Sequence, residues 1–262
     1  MKKYLCLFNI FVKSSLMVQM EYRANFFMSI VLECIYLFIK FITIYIVYKS
    51  GITFLNYPKE YILLVIGTHS IVTAIYLGLF VNNFYTLSRN INDGTLDIYL
   101  TRPVNSLFMM SVRYIDFGLS IPEFIAGVVM IYYGCTVLSI ELNLFNTAEY
   151  IYSVFISILL AYSIFIIPHI LSFWFVKTGS LTHVLDQLWE SNSYPYMIYP
   201  KSIKILGIYM IPLFIVSNYP AEVLLGTKNI SHLEATFISL VVFILTYKLW
   251  VKGLKEYHSA SS

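Results

Sequence analysis

The sequence predicts an all-α integral membrane protein with six transmembrane helices and both termini in the cytoplasm. Of its 262 residues, 59% are hydrophobic and only 12% are charged, and the mean hydropathy is +0.75. This much apolar surface cannot be hidden inside one soluble globule. Apolar runs of about 20 residues, long enough to cross a bilayer, lie between polar breaks. We expect one domain over residues 1–262, made of an interfacial helix (1–24), a six-span bundle (25–252) and a cytoplasmic tail (253–262).

The N-terminal segment is expected to form a helix that lies in the membrane interface. Lys2, Asn9, Lys13 and Arg23 fall on one side of a helical wheel, roughly opposite an apolar side. No small-x-small cleavage site follows the apolar stretch, so we expect the segment to be retained. The alternative is that these residues form the first turns of an ordinary transmembrane helix.

Six spans are expected after the interfacial segment. They are Asn25–Tyr48, Tyr61–Val81, Phe117–Leu138, Tyr150–Val176, Ile205–Leu225 and Leu233–Trp250. Most of the 17 Lys and Arg residues then lie on one side, including Lys201 and Lys204. The positive-inside rule makes that side the cytoplasm. The two long loops, residues 82–116 and 177–204, are therefore predicted to face the cytoplasm.

The fifth span is predicted to be broken. Pro212 lies inside it, and Asn218 and Pro220 follow before the apolar run ends. Proline removes a backbone donor and clashes with the preceding turn, so the span divides into a helix and a short re-entrant or interfacial piece. A simple proline kink is the alternative. Because broken helices often line transporter cavities, these three residues are candidates for a translocation pathway.

Three ionisable residues within the predicted spans are further pathway candidates. Placing such a group in lipid costs free energy, so it normally faces protein or water. They are Glu33 and Lys40 in the first span and Glu123 in the third. Glu33 and Lys40 share a helix face but lie about 10 Å apart along the axis, so they cannot pair directly. Either the three face a polar cavity or a partner subunit, or Lys40 snorkels and Glu123 lies among lipid headgroups.

A polar segment, NINDGTLDIYLTRPVN, lies between the second and third spans and is called the 90–105 loop below. Asn92-Asp93-Gly94 is a turn or helix-stop signal, Thr95 is a candidate N-cap, and Asp97 lies in the first turn of the next helix. Pro103 ends that helix. The pattern predicts a helix of about seven residues, TLDIYLT, on the cytoplasmic face, with apolar side chains available to a groove; a plain connector is the alternative.

Motifs for nucleotide binding and hydrolysis are absent from the sequence. It contains no GxxxxGK[ST], HExxH, GxSxG or GxGxxG pattern, so we do not expect the chain to bind nucleotide alone. Its three cysteines form no CxxC pair, and its five histidines are too far apart to suggest metal ligands. The Asn229-Ile230-Ser231 sequon falls on the predicted external side.

Three stretches together resemble the ABC-2 type permease family. GTLDIYLTRPVN, from Gly94, resembles the family's characteristic cytoplasmic loop. YPYMIYPKSIKIL, from Tyr194, resembles its motif before the fifth span, and IPLFIVSNYPAEVLLG, from Ile211, resembles its proline-interrupted segment. EYRANF at residues 21–26 also agrees, and the order and spacing of the stretches fit the family over most of the chain.

The resemblance implies a permease subunit of an ABC exporter in the cell membrane. Two such chains, the same or related, would combine with two separate ATPase subunits, which bind ATP and Mg²⁺. This chain would hold no cofactor, catalyse no reaction and bind no nucleic acid. In the family this loop carries a coupling helix against the ATPase. The matching positions, with the adjacent Asp93, are Gly94, Leu96, Asp97, Arg102 and Pro103. Arg102 would meet either an ATPase carboxylate or a lipid phosphate.

Two other functions are weighed against this one. A membrane-embedded transferase would need clustered catalytic residues. The loops offer no recognisable constellation among Asp93, Asp97, Asp116, His183, Asp186 and Glu190. A secondary transporter usually shows internal repeats and more intramembrane charge, and neither is evident in this sequence. The sequence leaves open the transported substrate and whether the permease is a homodimer or a heterodimer.

Overall fold

The computed structural model describes residues 2–50, 57–227 and 229–257, and its elements there are helical, as predicted. The first seven are α1 (Lys2–Glu21), α2 (Arg23–Ser50), α3 (Tyr61–Tyr76), α4 (Asn82–Asn92), α5 (Asp97–Leu100), α6 (Ser106–Val112) and α7 (Phe117–Val137). The others are α8 (Leu144–Phe165), α9 (Ile167–Ile170), α10 (Gly179–Ser191), α11 (Lys201–Ile205), α12 (Phe214–Leu225) and α13 (His232–Glu256). The predicted tail thus begins inside α13, and its residues 258–262 lie outside the described ranges.

Short polar side chains fix where several helices begin. Each accepts a hydrogen bond from the backbone N–H three residues later, which satisfies a donor that has no partner within the helix. The four caps are Asn105 for α6 (3.0 Å), Asp116 for α7 (3.1 Å), Asn143 for α8 (2.8 Å) and Ser231 for α13 (3.1 Å). The local sequence therefore determines where these four helices begin.

Five helices of the described chain are long and apolar enough to cross a membrane, or up to six if one bent pair counts as a single span. They are Arg23–Ser50, Tyr61–Asn92, Phe117–Val137, Leu144–Phe173 and His232–Glu256. Each overlaps one of the six predicted spans. The second is continuous from α3 through a π-helical turn (Leu77–Val81) into α4, which carries it well past the predicted end at Val81.

The centre of the bundle is the contact between α3 and α7. A Cβ atom on Gly127 would lie 2.9 Å from the carbonyl oxygen of Gly67 and 2.9 Å from the backbone nitrogen of Ile71. Glycine at this crossing lets the two backbones approach closely, as small residues do in membrane helix packing. Almost every α3 side chain is buried, whereas most of α2 is exposed. The helix α3 is thus the core around which the other elements pack.

The chain between α9 and α11 runs beside α4 and α3, from one end of that long helix to the other. Residues 177–204 therefore do not form a loop on one side of the bundle, as predicted. At one end, the Tyr85 hydroxyl of α4 donates to Asp186 (3.3 Å). Further along, the Trp189 indole donates to Thr73 of α3 (3.2 Å). Tyr196 then reaches Glu222 and Asn229, which also contact Tyr57 just before α3. Because α3 and α4 form one long helix, these contacts lie at its opposite ends.

This path moves two basic residues and redefines the fifth span. Lys201 and Lys204 follow Tyr196, so they lie toward the N-terminal end of α3 and away from the 90–105 loop, and their predicted position was wrong. The pair 201–210 and 214–225 is bent by 99° at the break that contains Pro212. Lys204, near its start, lies over the Tyr196 ring, and Glu222, near its end, accepts from the hydroxyls of Tyr196 and Tyr57, so both ends of the pair lie on one side. The predicted break at Pro212 is therefore confirmed, and the position of its two ends favours the re-entrant form that the prediction included.

The first helix packs against the connection between α6 and α7. The break between α1 and α2 falls at Tyr22. The Gln19 amide donates to the carbonyl of Ile115 (2.6 Å), and the Ser15 hydroxyl accepts from the Ile115 backbone N–H (3.1 Å). Tyr4 packs edge-on against Phe108 of α6 at 5.0 Å. These contacts hold α1 against the bundle; its position in the membrane interface stays a prediction.

Candidate functional site

The 90–105 loop begins with a sharp helix stop, as the Asn92-Asp93-Gly94 signal predicts. Gly94 has a φ of +68°, the left-handed conformation that glycine adopts without strain. The backbone N–H groups of Thr95 and Leu96 then donate back to the carbonyl of Asn90 at 3.0 and 3.2 Å. The turn therefore ends α4 with the carbonyl of Asn90, in its last turn, satisfied, and it redirects the chain into α5.

The helix after this turn is shorter than predicted. It covers Asp97–Leu100, four residues in place of the seven expected, and the predicted N-cap was wrong. The Thr95 hydroxyl donates to the side chain of Asn90 (3.1 Å), so it closes the turn and does not cap α5. Leu96 is fully buried and Tyr99 nearly so, while Ile98 is 55% exposed. One face of the loop is thus packed against the bundle, and the opposite face is exposed.

Elements from both ends of the chain hold this loop in place. The Lys3 ammonium of α1 donates to the carbonyl of Pro103. The Arg113 guanidinium, just after α6, lies 5.0 Å from the centre of the Tyr99 ring. Tyr257, directly after α13, lies beside Asp97: burial raises the pKa of its hydroxyl, and the Asp97 charge acts in the same direction. The loop is therefore in contact with residues in or next to α1, α6 and α13.

The predicted coupling residues differ in exposure. Asp93, Arg102 and Pro103 are exposed, and Gly94 and Asp97 are partly exposed. Leu96, however, has no accessible surface. It supports the loop from inside and is not positioned to touch another protein.

The three charged residues predicted within the spans lie together. The Lys40 ammonium of α2 forms an ion pair with Glu123 of α7 and donates to the Ser70 hydroxyl of α3 (3.3 Å). Glu123 is completely buried, and Glu33, which is 5% exposed, hydrogen-bonds to the Glu123 side chain. Lys40 thus points inward and does not snorkel, and Glu123 is not among headgroups. An ion pair at this depth lowers the cost of burying either charge.

The other three pathway candidates form a second group, on the re-entrant pair. Pro212 lies in the break before α12, whereas Pro220 lies inside α12 and does not end it. The Asn218 side chain accepts from the backbone N–H of Tyr196 (2.9 Å), and its carbonyl accepts from the Tyr61 hydroxyl (3.4 Å). Asn218 therefore fastens the re-entrant pair to α3, and the six candidates do not form a single site.

A buried acid that the sequence reasoning missed lies on the same helix. Glu222 is 1% exposed and accepts hydrogen bonds from the hydroxyls of Tyr196 (2.7 Å) and Tyr57 (3.1 Å) and from the Asn229 amide (3.0 Å). The available signal was an acidic residue inside an apolar run, the same rule that selected Glu33 and Glu123. The Asn229 of the predicted sequon is thus a structural partner of Glu222.

The comparisons with known proteins agree with the resemblance in the sequence. The family model described as ABC-2 family transporter protein matches residues 34–261. No curated protein matches the chain, and neither does any solved structure.

Proposed function

Because the chain belongs to the ABC-2 family of transporter proteins, a family of membrane transport components, we propose that it is the permease subunit of an ATP-driven exporter. Two such subunits, identical or related, would enclose the translocation pathway in the cell membrane. Separate ATPase subunits would bind ATP and Mg²⁺. In this arrangement the 90–105 loop and both termini face the cytoplasm.

The observation that carries the proposal is the construction of the 90–105 loop. Its buried residues, Leu96 and Tyr99, fix it to the bundle, while Ile98 and Asp93 are exposed to a partner. Contacts from α1, α6 and α13 converge on it. A loop that is rigidly attached and open on one face is suited to carry the motion of an ATPase dimer into the spans.

The exposed face of α2 favours a second permease subunit beside this one. Large apolar side chains such as Phe27, Tyr36 and Phe38 are 63–65% exposed along this helix. In a monomer they would all face lipid. We propose that part of this face meets the second subunit, and cross-linking of the full-length protein through position 38 tests it: a cross-linked dimer supports the proposal, and exclusive labelling of lipid contradicts it.

Co-purification tests the ATPase contact. Ile98→Asp replaces an exposed apolar side chain on α5 and should weaken recovery of the ATPase from native membranes by tagged full-length chain. Leu142→Asp is the matched control, because Leu142 is similarly exposed (48%) and lies in the α7–α8 connection, away from the loop. Both variants should insert and melt like the wild type. Equal ATPase recovery by the two variants would contradict the docking assignment.

A further inference from the structure

A cavity of about 810 Å³ lies between α1, α4 and the connection from α6 to α7. Three arginines contribute to its wall: Arg89 from α4, Arg102 from the 90–105 loop, and Arg113 after α6. Asp116 is the acidic side chain in the same wall. The cavity is large enough for a small-molecule ligand, and arginine keeps its charge in proteins. Its lining therefore carries an excess of positive charge.

The carboxylate in this wall is already used for structure. One oxygen of Asp116 accepts from the backbone N–H of Leu119 (3.1 Å), and the other accepts from the Asn82 amide (3.4 Å). In the described ranges, the Lys40–Glu123 ion pair and the His232–Glu149 contact, which is ionic only when the histidine is protonated, use none of the three arginines. The excess positive charge is thus suited to an external anion.

Two of the guanidinium groups are held in position by neighbours that carry no charge. Arg113 lies over the rings of Tyr99 (5.0 Å) and Tyr114 (5.4 Å), and Arg102 donates through Nε to the carbonyl of Ile98 (3.3 Å). A guanidinium stacked on a ring keeps its N–H donors in its own plane, where they can meet two oxygens of one anion. This geometry favours phosphate over a spherical anion.

The apolar part of the lining comes mainly from α1, beside polar side chains such as Ser14 and Gln19. Ile10, Phe11 and Val18 of α1 contribute to the wall, together with Met109 and Ile115. A site that combines arginines with an apolar wall at the end of the spans matches a molecule with a phosphate group and a hydrocarbon part. We propose that this cavity binds the phosphate headgroup of an anionic lipid. The site does not depend on the proposed contact with an ATPase.

Lipid titration of the purified full-length chain, followed by native mass spectrometry, tests this site. The probes are phosphatidylglycerol and phosphatidylcholine, with inorganic phosphate as a competitor. Arg89→Gln and Arg113→Gln should each weaken phosphatidylglycerol binding about fivefold, and the double variant about 25-fold. Arg23→Gln is the matched control: Arg23 is exposed, lies outside this cavity and donates to the carbonyl of Met20. Its binding should stay within about twofold of wild type.

The outcomes separate the sources of the phosphate. Preference for phosphatidylglycerol supports a lipid headgroup, and competition by inorganic phosphate supports recognition of the phosphate itself. Arg113→Lys, which keeps the charge and loses the planar fork, should bind between wild type and Arg113→Gln, and it covers the case in which the double variant does not fold. Unchanged lipid binding in folded arginine variants overturns the proposal. The proposal is also overturned if the arginine variants recover less ATPase and still bind lipid like the wild type, because the arginines would then serve a protein partner.

Discussion

Removal of the Lys40 ammonium should destabilise the bundle far more than an ordinary surface substitution. Lys40→Met keeps most of the side-chain volume but leaves the completely buried Glu123 carboxylate without its cation. Loss of one partner of a buried pair costs about 3–5 kcal/mol. The Lys40 side chain is 16% exposed, so water screens the pair slightly and we expect the lower end, about 3 kcal/mol. At about 2–4 °C per kcal/mol, Tm should fall by about 6–12 °C.

A double variant distinguishes the ion pair from simple packing. Lys40→Met combined with Glu123→Gln removes the charged pair and keeps an amide that can hydrogen-bond to Glu33, so its stability should return to within about 1 kcal/mol of wild type. Lys49→Met, on the exposed end of the same helix, is the control and should change Tm by less than about 2 °C, since its ammonium lies only over the Tyr45 ring (5.5 Å). The assay is thermal unfolding in detergent at fixed ionic strength. Additive losses in the double variant would refute the reasoning.

Three further predictions concern packing and hydrogen bonding, each read out as Tm in the same detergent. Gly127→Ala should destabilise strongly because its Cβ would meet backbone atoms of α3 at 2.9 Å, whereas Gly179→Ala, with no atom within 4 Å, should not. Leu96→Ala should cost about 2–5 kcal/mol because the side chain is fully buried, and a cost below about 1 kcal/mol would contradict its anchoring role. Tyr196→Phe should cost about 1–3 kcal/mol because it removes the 2.7 Å hydrogen bond to Glu222; an unchanged Tm would show that this bond is dispensable.

Much of the bundle could be predicted from hydropathy because lipid selects apolar side chains. The helix α2 is long, apolar and mostly exposed, so its limits are close to those expected. The helix α10 could not be predicted from hydropathy. It contains Thr182, Asp186 and Glu190, and α3 and α4 shield part of it from lipid. A segment that packs against protein has no need of a long apolar run, so hydropathy alone predicts a loop there.

Local turn chemistry was predictable where it depends on neighbouring residues alone. Gly94 stops α4 from continuing because its φ is positive, and glycine adopts this conformation without strain wherever it follows a helix. The role of Thr95 was not predictable, because its hydroxyl donates to the side chain of Asn90, in the preceding helix, and does not cap the next one. The grouping of Lys40 with Glu123 likewise depends on how α2 packs against α7, and no sequence spacing contains that information.

The contact between the 90–105 loop and an ATPase is the central claim, and site-specific photo-cross-linking tests it most directly. A photoreactive amino acid at position 98, on the exposed face of α5, should cross-link to the ATPase in native membranes, with a yield that changes when ATP is added. The same group at position 142, on the α7–α8 connection, should give no such product. An intact permease–ATPase complex that cross-links from position 142 and not from position 98 would contradict the account.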